Sequence, residues 1–591
     1  MTMRILTSGA MALLCAGLAI AHPGRDSGLI VHEWGTFLAM HGSDGISLDG
    51  MYHEEHALPA FVHARSREQL RLRSALVKGE TPVIYFYAGR RARVEVMVDF
   101  PGGIWTQWYP QVVGVRPSFA QVAMPLRARN GRIAWTVDVV PPAEIQPQLP
   151  ATDADALWNH AREVDAAYVR AVDQTRPGAP SEWERFIFYR GLGEAPLPVE
   201  VGARGGDITV RTSTTAVQHV YILRVEGGRG TYEYVPAIDA GEQLSRVVPA
   251  MDAALPMDRF AARLAEDLAA KLTESGLYEK EARAMVNTWR SSYFTTDGIR
   301  VLFVLPQSWT DRYIPLRITP QPAQVIRVMV GRIEVLTPER ERRAESAVRD
   351  LASPDADVRE RAFAYLQAEG RYVEPIVRRT LETTDDERVR TLCRRLLLTD
   401  FVTQLRTSLA DAASGERLAQ DPVYARAQLA ALLREIGLED EARAEGEAAL
   451  AVLEPMPPPK MSDHVSRHLF RALARASEGA GDDAKALERY GDFVRFGSQA
   501  PACGGCHQLE GPRDMAFFRD WWAGRTFGEL AQRTGQVGDL IQTHERRLSD
   551  SPRDFAARLS LAYLYEASGD RARAERLWAQ LDPSGSRSPA P

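Results

Sequence analysis

The residue texture of this chain changes at Thr337-Pro338, and that switch limits what the chain can fold into. Before it, short runs of β-branched and aromatic residues alternate with Gly and Pro. After it, Ala, Leu, Arg and Glu recur at helical periods. At 591 residues the chain exceeds the roughly 250–300 residues one core can serve, so the two textures are read as separate folding units.

The strand signals are local. Thr81-Pro-Val-Ile-Tyr-Phe-Tyr87 ends at Gly89, and Arg93-Val-Glu-Val-Met-Val-Asp-Phe100 alternates and ends at Pro101-Gly102-Gly103. Ile208 to Thr212, Val220 to Val225, Ile299 to Leu305 and Val325 to Val335 repeat the pattern. Such runs predict antiparallel sheets packed as a sandwich. Phe260, Leu264, Leu268 and Leu272 are spaced by four, which predicts a helix; a second, about Glu279 to Ser291, follows Gly276. The fold class is therefore multidomain. Its N-terminal part is mainly β, antiparallel and sandwich-like, with a helical insertion at about 255–292. Its C-terminal part is all-α, built of superhelical repeats.

The first 21 residues read as a secretory signal peptide. Arg4 supplies the positive end, Ile5 to Ile20 are mostly apolar, and Ala19-Ile20-Ala21 is a small-x-small cleavage site. Cleavage near Ala21 predicts an extracytoplasmic chain, periplasmic or secreted. Cys15 lies inside the apolar stretch, which argues against a lipid anchor there. No later run is long and apolar enough for a membrane span. A formal charge of -6 with 25% charged residues gives no concentrated basic face, so nucleic acid is not expected as a partner. Three cysteines follow the leader, too few for a disulfide-built scaffold. Cys393, in the helical pattern Val389 to Leu398, is expected to be a buried, inert thiol.

The sharpest motif is Cys503-Gly-Gly-Cys506-His507. Two thiols at i and i+3 can each add to a porphyrin vinyl group, and the adjacent imidazole can reach the iron. That is the c-type haem attachment pattern, in a chain addressed to a compartment where such attachment occurs. Haem c is the expected cofactor, with Cys503 and Cys506 as anchors and His507 as proximal ligand. Met515, His544, His464 and His468 are candidates for the sixth iron position. The alternatives are a Cys503–Cys506 dithiol or disulfide, or half of a zinc site that lacks a second Cys pair. Phe517, Phe518, Trp521 and Trp522 could wall a haem, or simply form repeat core.

Six of the 12 histidines fall between His22 and His63. His32, His53 and His56, among Glu33, Glu54 and Glu55, are candidates for another metal ion. His53-Glu-Glu-His56 puts two imidazoles at i, i+3, one residue short of the zinc-protease spacing. The plainer reading is separate polar and turn residues. Trp105, Trp108 and Tyr109 could stack a sugar, but aromatic core is commoner. Gly191-Leu-Gly193 reads as a turn after a strand. There is no nucleophile elbow, phosphate loop or dinucleotide fingerprint, and no catalytic set stands out.

Several phrases resemble an uncharacterised exported bacterial family. They are Val31-His-Glu-Trp-Gly-Thr-Phe37, Glu80 to Tyr87, Trp108-Tyr-Pro110, Phe188-Tyr-Arg-Gly-Leu-Gly193, Gly276-Leu-Tyr278 with Ala284 to Trp289, and Val330 to Pro338. The resemblance covers about 29–340 and implies one unit there, without implying an activity. Asp-rich links followed by Val-Arg, at Val358-Arg359 and Val389-Arg390, resemble HEAT-type repeats. Ala427 to Leu450, His468 to Val494 and Ala556 to Leu581 resemble tetratricopeptide repeats, and Pro455 to Pro459 is a stiff link between the first two. Repeats of both kinds imply a protein partner, since stacked hairpins present one extended surface.

The expected layout is a signal peptide at 1–21 and a β-rich domain at 22–340. HEAT-like repeats follow at 341–400. Tetratricopeptide-like repeats span 401–582, carrying the CxxCH insertion at about 497–530, and 583–591 form a disordered tail. The expected function is protein binding with one covalent haem for electron transfer or redox sensing. A haem-free scaffold and a metal-dependent envelope enzyme using the His-rich region are the alternatives.

Overall fold

The computed structural model describes residues 28–51, 56, 58–65, 75–80, 82–116, 130–171, 180–413, 422–459, 466–499, 519 and 521–581. The leader, His53, His464, Cys503, Cys506, His507, Met515, Phe517, Phe518 and the 583–591 tail lie outside the described residues.

The first half runs β1 (Ile30–His41), β2 (His63–Ala64), β3 (Val77–Gly79), β4 (Val83–Tyr87), β5 (Ala92–Phe100), β6 (Gly103–Tyr109), β7 (Gly114–Arg116) and β8 (Gly131–Val140). After α1 (Trp158–Arg162) come β9 (Tyr168–Ala171), β10 (Glu182–Glu184), β11 (Ile187–Gly193), β12 (Val199–Arg204), β13 (Asp207–Thr212), β14 (Val217–Glu226), β15 (Arg229–Ile238), β16 (Gln243–Val247) and β17 (Leu255–Pro256). Then come α2 (Met257–Glu274), α3 (Glu279–Trp289), β18 (Gly298–Leu305), α4 (Gln307–Tyr313), β19 (Leu316–Thr319) and β20 (Gln324–Val335).

These strands form a central eleven-stranded sheet, ordered β17-β15-β14-β18-β20-β1-β3-β11-β6-β2 with β4 joined to β1 and β11, and sheets of six and three strands. Side chains alternate across the central sheet. On β18, Val301, Phe303 and Leu305 face the smaller sheets, while Leu302 and Val304 face α1, α2 and α3. Both faces are covered, which explains why β1, β18 and β20 read as near-continuous apolar runs. The arrangement is thus three layers rather than a two-sheet sandwich. The stripe Phe260, Leu264, Leu268 and Leu272 is the buried face of α2.

The expectation of purely antiparallel sheets is corrected at the centre. β1 pairs with β20 in parallel, from Ile30 opposite Gln324 to His41 opposite Val335. A parallel pair needs a crossover connection, and here nearly the whole domain is that connection. The first and last strands therefore lock the domain shut and deliver the chain to the helices.

Thr337 caps the first of these through its hydroxyl, which accepts from the Arg340 backbone N–H at 3.3 Å, and Pro338 occupies the first turn. The helices are α5 (Pro338–Asp350), α6 (Ala356–Glu369), α7 (Glu374–Thr383), α8 (Glu387–Ala413), α9 (Pro422–Glu435), α10 (Glu439–Leu453), α11 (Ser466–Gly479) and α12 (Asp483–Gln499). The last four are α13 (Trp522–Arg533), α14 (Val537–Asp550), α15 (Phe555–Ala567) and α16 (Arg571–Leu581).

From α9 onward the helices come as hairpins, and each turn holds a glycine at positive φ: Gly437 (+75°), Gly481 (+81°), Gly535 (+72°) and Gly569 (+80°). This is the helix-ending position that favours glycine. Close approach between hairpins also rests on small residues. A Cβ at Gly446 would lie 2.4 Å from the Ala480 backbone nitrogen. Gly446→Val is expected to cost about 1–3 kcal/mol by overpacking, seen as a lower melting temperature. An unchanged melt would contradict this packing.

Candidate functional site

The region around the CxxCH motif is bounded by two helices. α12 ends at Gln499 and α13 begins at Trp522. Trp521 and Trp522 are core residues. Trp521 packs 5.4 Å from the Phe493 ring and against Gly497, where a Cβ would meet its ring at 2.4 Å. Trp522 sits edge-on to Tyr490 at 5.8 Å with the Arg475 guanidinium 4.6 Å away. Their rings are engaged by the repeat and do not form an open wall.

His544 lies on α14, on the stripe Val537, Leu540, Ile541, His544 and Leu548. The four aliphatic members are only partly buried against the core, and no residue of α14 is fully buried. The His544 Nδ1 atom is nevertheless sealed from solvent with no hydrogen-bond partner, and the same holds for Arg495 Nε at the end of α12. Burial, then the Arg547 guanidinium and more weakly Arg495, push the His544 imidazole down to about 4, against a pull upward from Asp554. The ring is therefore neutral near pH 7, the state in which imidazole ligates metals. For His468, the backbone lies in α11.

The N-terminal histidines serve different partners. His32 is 1% exposed. Its Nδ1 pairs with Glu281 Oε2 at 2.8 Å, and its ring lies 4.5 Å from that of Tyr278. Glu281 also accepts from the Tyr87 hydroxyl at 2.7 Å and the Tyr278 backbone N–H at 2.7 Å. This arrangement ties β1 to α3. His56 is exposed and lies 3.5 Å from the Ser291 hydroxyl. Among the described residues no group of three or more metal-ligating side chains comes together, and His32 and His56 are not gathered into one. His41 is buried between β1 and β12. The Val201 N–H donates to its Nδ1 at 3.0 Å, and its Nε2 is 3.1 Å from the Ser47 hydroxyl. Burial holds this imidazole down at about 4.

One alternative is removed and one reading is corrected. Trp105, Trp108 and Tyr109 are all buried on β6, so they form core and offer no sugar platform. Gly191-Leu-Gly193 is strand, not turn. A Cβ at Gly191 would meet the Trp105 ring at 2.7 Å, and one at Gly193 the Phe100 ring at 2.5 Å, so these glycines leave room for aromatic rings across the sheet. Cys393 is buried as expected, and burial pushes its thiol up to about 11, which keeps it protonated.

The sequence reading missed a buried charged chain where the β-rich half meets α5–α7. Glu334 is 0% exposed. It accepts from Arg332 Nε at 2.7 Å, Arg300 Nε at 3.3 Å and the Tyr372 hydroxyl at 2.7 Å. Arg332 lies 3.8 Å over the Tyr293 ring, whose hydroxyl donates to Glu80 at 2.5 Å. Lys78 stands 3.8 Å from Glu80 on its other side. Burial alone would raise the Glu334 carboxyl, but Arg300 and Arg332 hold it at about 2. The signal was present: Arg332 and Glu334 alternate with apolar residues in a strand whose two faces are both covered. The network stitches β20 to Tyr372, between α6 and α7.

No protein-family model matches the chain, and no curated protein matches it. Among solved structures it is similar to a putative kinesin light chain with nearly identical TPR-like repeats from Podosopora anserina, at 18% identity over 38% of this chain and 99% of that one, with a TM-score of 0.22. A point variant of that protein matches at 18% identity over 37% and 93%, also at 0.22. The native conformation of E. coli alpha-2-macroglobulin matches at 10% identity over 88% and 32%, at 0.15. TM-scores this low carry no argument. Fold and site therefore stand on this chain's own geometry.

Proposed function

We propose that this chain is an exported repeat protein whose C-terminal helical array binds a protein partner and carries one covalent c-type haem, for electron transfer or redox sensing. The observation that carries the reading is the place of Cys503-Gly-Gly-Cys506-His507 in the repeat spacing. Gly535 and Gly569 are 34 residues apart, which is the tetratricopeptide period. Gly481 and Gly535 are 54 apart, twenty more, and the motif falls in that interval. Gly437 and Gly481 are 44 apart, ten more, and the proline link Pro455 to Pro459 falls there. The motif is thus an addition to a tetratricopeptide-like hairpin series, not part of its packing code.

On this reading α5 to α8 are HEAT-like and α9 to α16 tetratricopeptide-like. Such arrays present a continuous surface for an extended or helical peptide. Residues 29–340 are read as one unit with the exported family they resemble, and the leader sends the chain out of the cytoplasm. Among the described residues, no helix is long and apolar enough to cross a membrane. Of the candidate sixth ligands, His544 is the one whose side chain is described. His544 offers a neutral imidazole with an unpartnered buried nitrogen, beside two guanidiniums and an aliphatic stripe. A haem held by Cys503, Cys506 and His507 would supply one-electron chemistry at its iron, and the array would hold it beside a partner.

The test is an absorption spectrum of protein expressed with the haem-attachment machinery, before and after acid-acetone extraction. A Soret band that stays with the protein is expected. A colourless protein whose two thiols titrate freely, or only after reduction, would overturn the haem and leave a scaffold.

A further inference from the structure

A set of polar side chains is buried over the middle of the central sheet. Arg332 lies two residues after Val330 on β20, and so shares the face that α1–α3 cover. Glu80 follows β3, and its backbone N–H donates to the Thr36 carbonyl of β1 at 2.8 Å. Arg190 on β11 donates from Nε to the Glu80 carbonyl at 2.7 Å. The Glu80 carboxylate has Lys78 at 3.8 Å, Arg332 Nη1 at 3.9 Å and the Tyr293 hydroxyl at 2.5 Å. Burial alone would raise the Glu80 carboxyl, but Lys78, Arg332 and Arg190 hold it below the ordinary range. Three cations thus act on one carboxylate, and the potential at this place is positive.

Two donors lie beside it. Trp289 is the last residue of α3 and is 0% exposed, and its ring stacks on that of Tyr293 at 5.2 Å and 7°. Ser292, also buried, sits in the turn between them. Among the described residues, Trp289 Nε1 and Ser292 Oγ are sealed from solvent with no hydrogen-bond partner. Buried polar atoms are nearly always bonded, so a pair left this way points to a water or a ligand. An indole N–H can only donate, and a donor in a positive potential suits an acceptor that carries negative charge. The set also lies close beneath the surface. The exposed His56 stands 3.5 Å from the Ser291 hydroxyl, and Glu80, Arg190 and Arg332 all act on its imidazole.

We propose that this set binds an oxyanion, the carboxylate or phosphate group of a small ligand, with Trp289 Nε1 and the Ser292 hydroxyl as donors and Lys78, Arg190 and Arg332 setting the field. Glu80 and Tyr293 are positioning residues that hold the cations in place. The site belongs to the β-rich half and stands independently of the haem.

The test is calorimetric titration of the full chain with inorganic phosphate and, separately, with acetate, at an ionic strength held constant with chloride. Saturable binding is expected, and the anion that binds tells phosphate from carboxylate. Trp289→Phe keeps a ring on Tyr293 and Ser292→Ala keeps the turn, while each removes one donor. Each should weaken binding about 10- to 100-fold, the worth of a hydrogen bond to a charged group. Ser292→Ala should leave the melting temperature of the unliganded chain unchanged, which separates a ligand contact from a structural one. A wild-type chain that binds neither anion would overturn the site and leave both donors to water. Binding that both variants retain at wild-type strength would overturn it too, since the anion then sits elsewhere. If Trp289→Phe fails to fold, Ser292→Ala alone decides.

Discussion

Glu334→Ala is expected to destabilise the chain by about 3–5 kcal/mol, the penalty for removing one side of a buried charge network. The carboxylate stands between Arg300 and Arg332, and all three side chains are 0% exposed. Removing it takes the carboxylate from between two guanidiniums inside the protein. It also takes the acceptor from the Tyr372 hydroxyl. Tyr372→Phe, which removes only that one donor, should cost less, about 1.5–3 kcal/mol for a hydrogen bond to a charged group. Urea unfolding followed by tryptophan fluorescence reads both. If Glu334→Ala unfolds at the wild-type midpoint, the network does not hold β20 to α5–α7.

A fall in stability between about pH 6.5 and 4 is expected from His41. Burial sets its folded pKa at about 4, below the ordinary value of 6.5. The unfolded chain therefore takes up a proton in that window while the folded chain does not. Stability is full above pH 6.5, drops as pH falls, and levels off below about 4, for a loss of about 3 kcal/mol. Burial explains the direction, and the Val201 N–H, donating to Nδ1, is satisfied by the neutral ring. His41→Asn keeps an acceptor near that N–H and should reduce the slope in this window, the remainder belonging to His544, whose folded value is also about 4. The Glu334 contribution is separate. Its folded pKa of about 2 lies below the ordinary value of 4.5, so its share is lost only as pH falls from about 4.5 to 2. A wild-type midpoint flat from pH 6.5 to 4 would contradict the His41 assignment.

How far the sequence could be read depended on whether local pattern or tertiary contact decided each feature. The texture switch at Thr337-Pro338 is where β20 gives way to α5, because Pro338 suits a helix start and Thr337 caps it. The four-residue spacing from Phe260 to Leu272 became the buried face of α2 because one stripe is enough to seat a helix. The parallel pairing of β1 with β20 was not legible, since the partner lies nearly three hundred residues away and both strands read alike. Gly191 and Gly193 looked like turn residues because glycine punctuates turns, yet here they make room for Trp105 and Phe100. The charges at Arg332 and Glu334 alternate with apolar residues, but only the layers on both faces of the strand show that they are buried.

The candidate site divides the same way. The CxxCH motif is pure sequence, since its chemistry depends on spacing alone. His544 was one candidate among four, and its unpartnered nitrogen is a property of tertiary packing that no local pattern encodes. The 34-residue interval emerges once the turn glycines are fixed by their positive φ. It then places the motif in the longest of the three intervals between turn glycines.

The central claim is that Cys503 and Cys506 carry a haem in the exported chain. The most direct measurement is the intact mass of the protein purified from its native cell envelope, under reducing and non-reducing conditions. The account predicts a chain beginning at His22 whose mass exceeds that of residues 22–591 by one haem, unchanged by reductant. A mass equal to the bare chain from His22, or one that rises by two hydrogens on reduction, would contradict it.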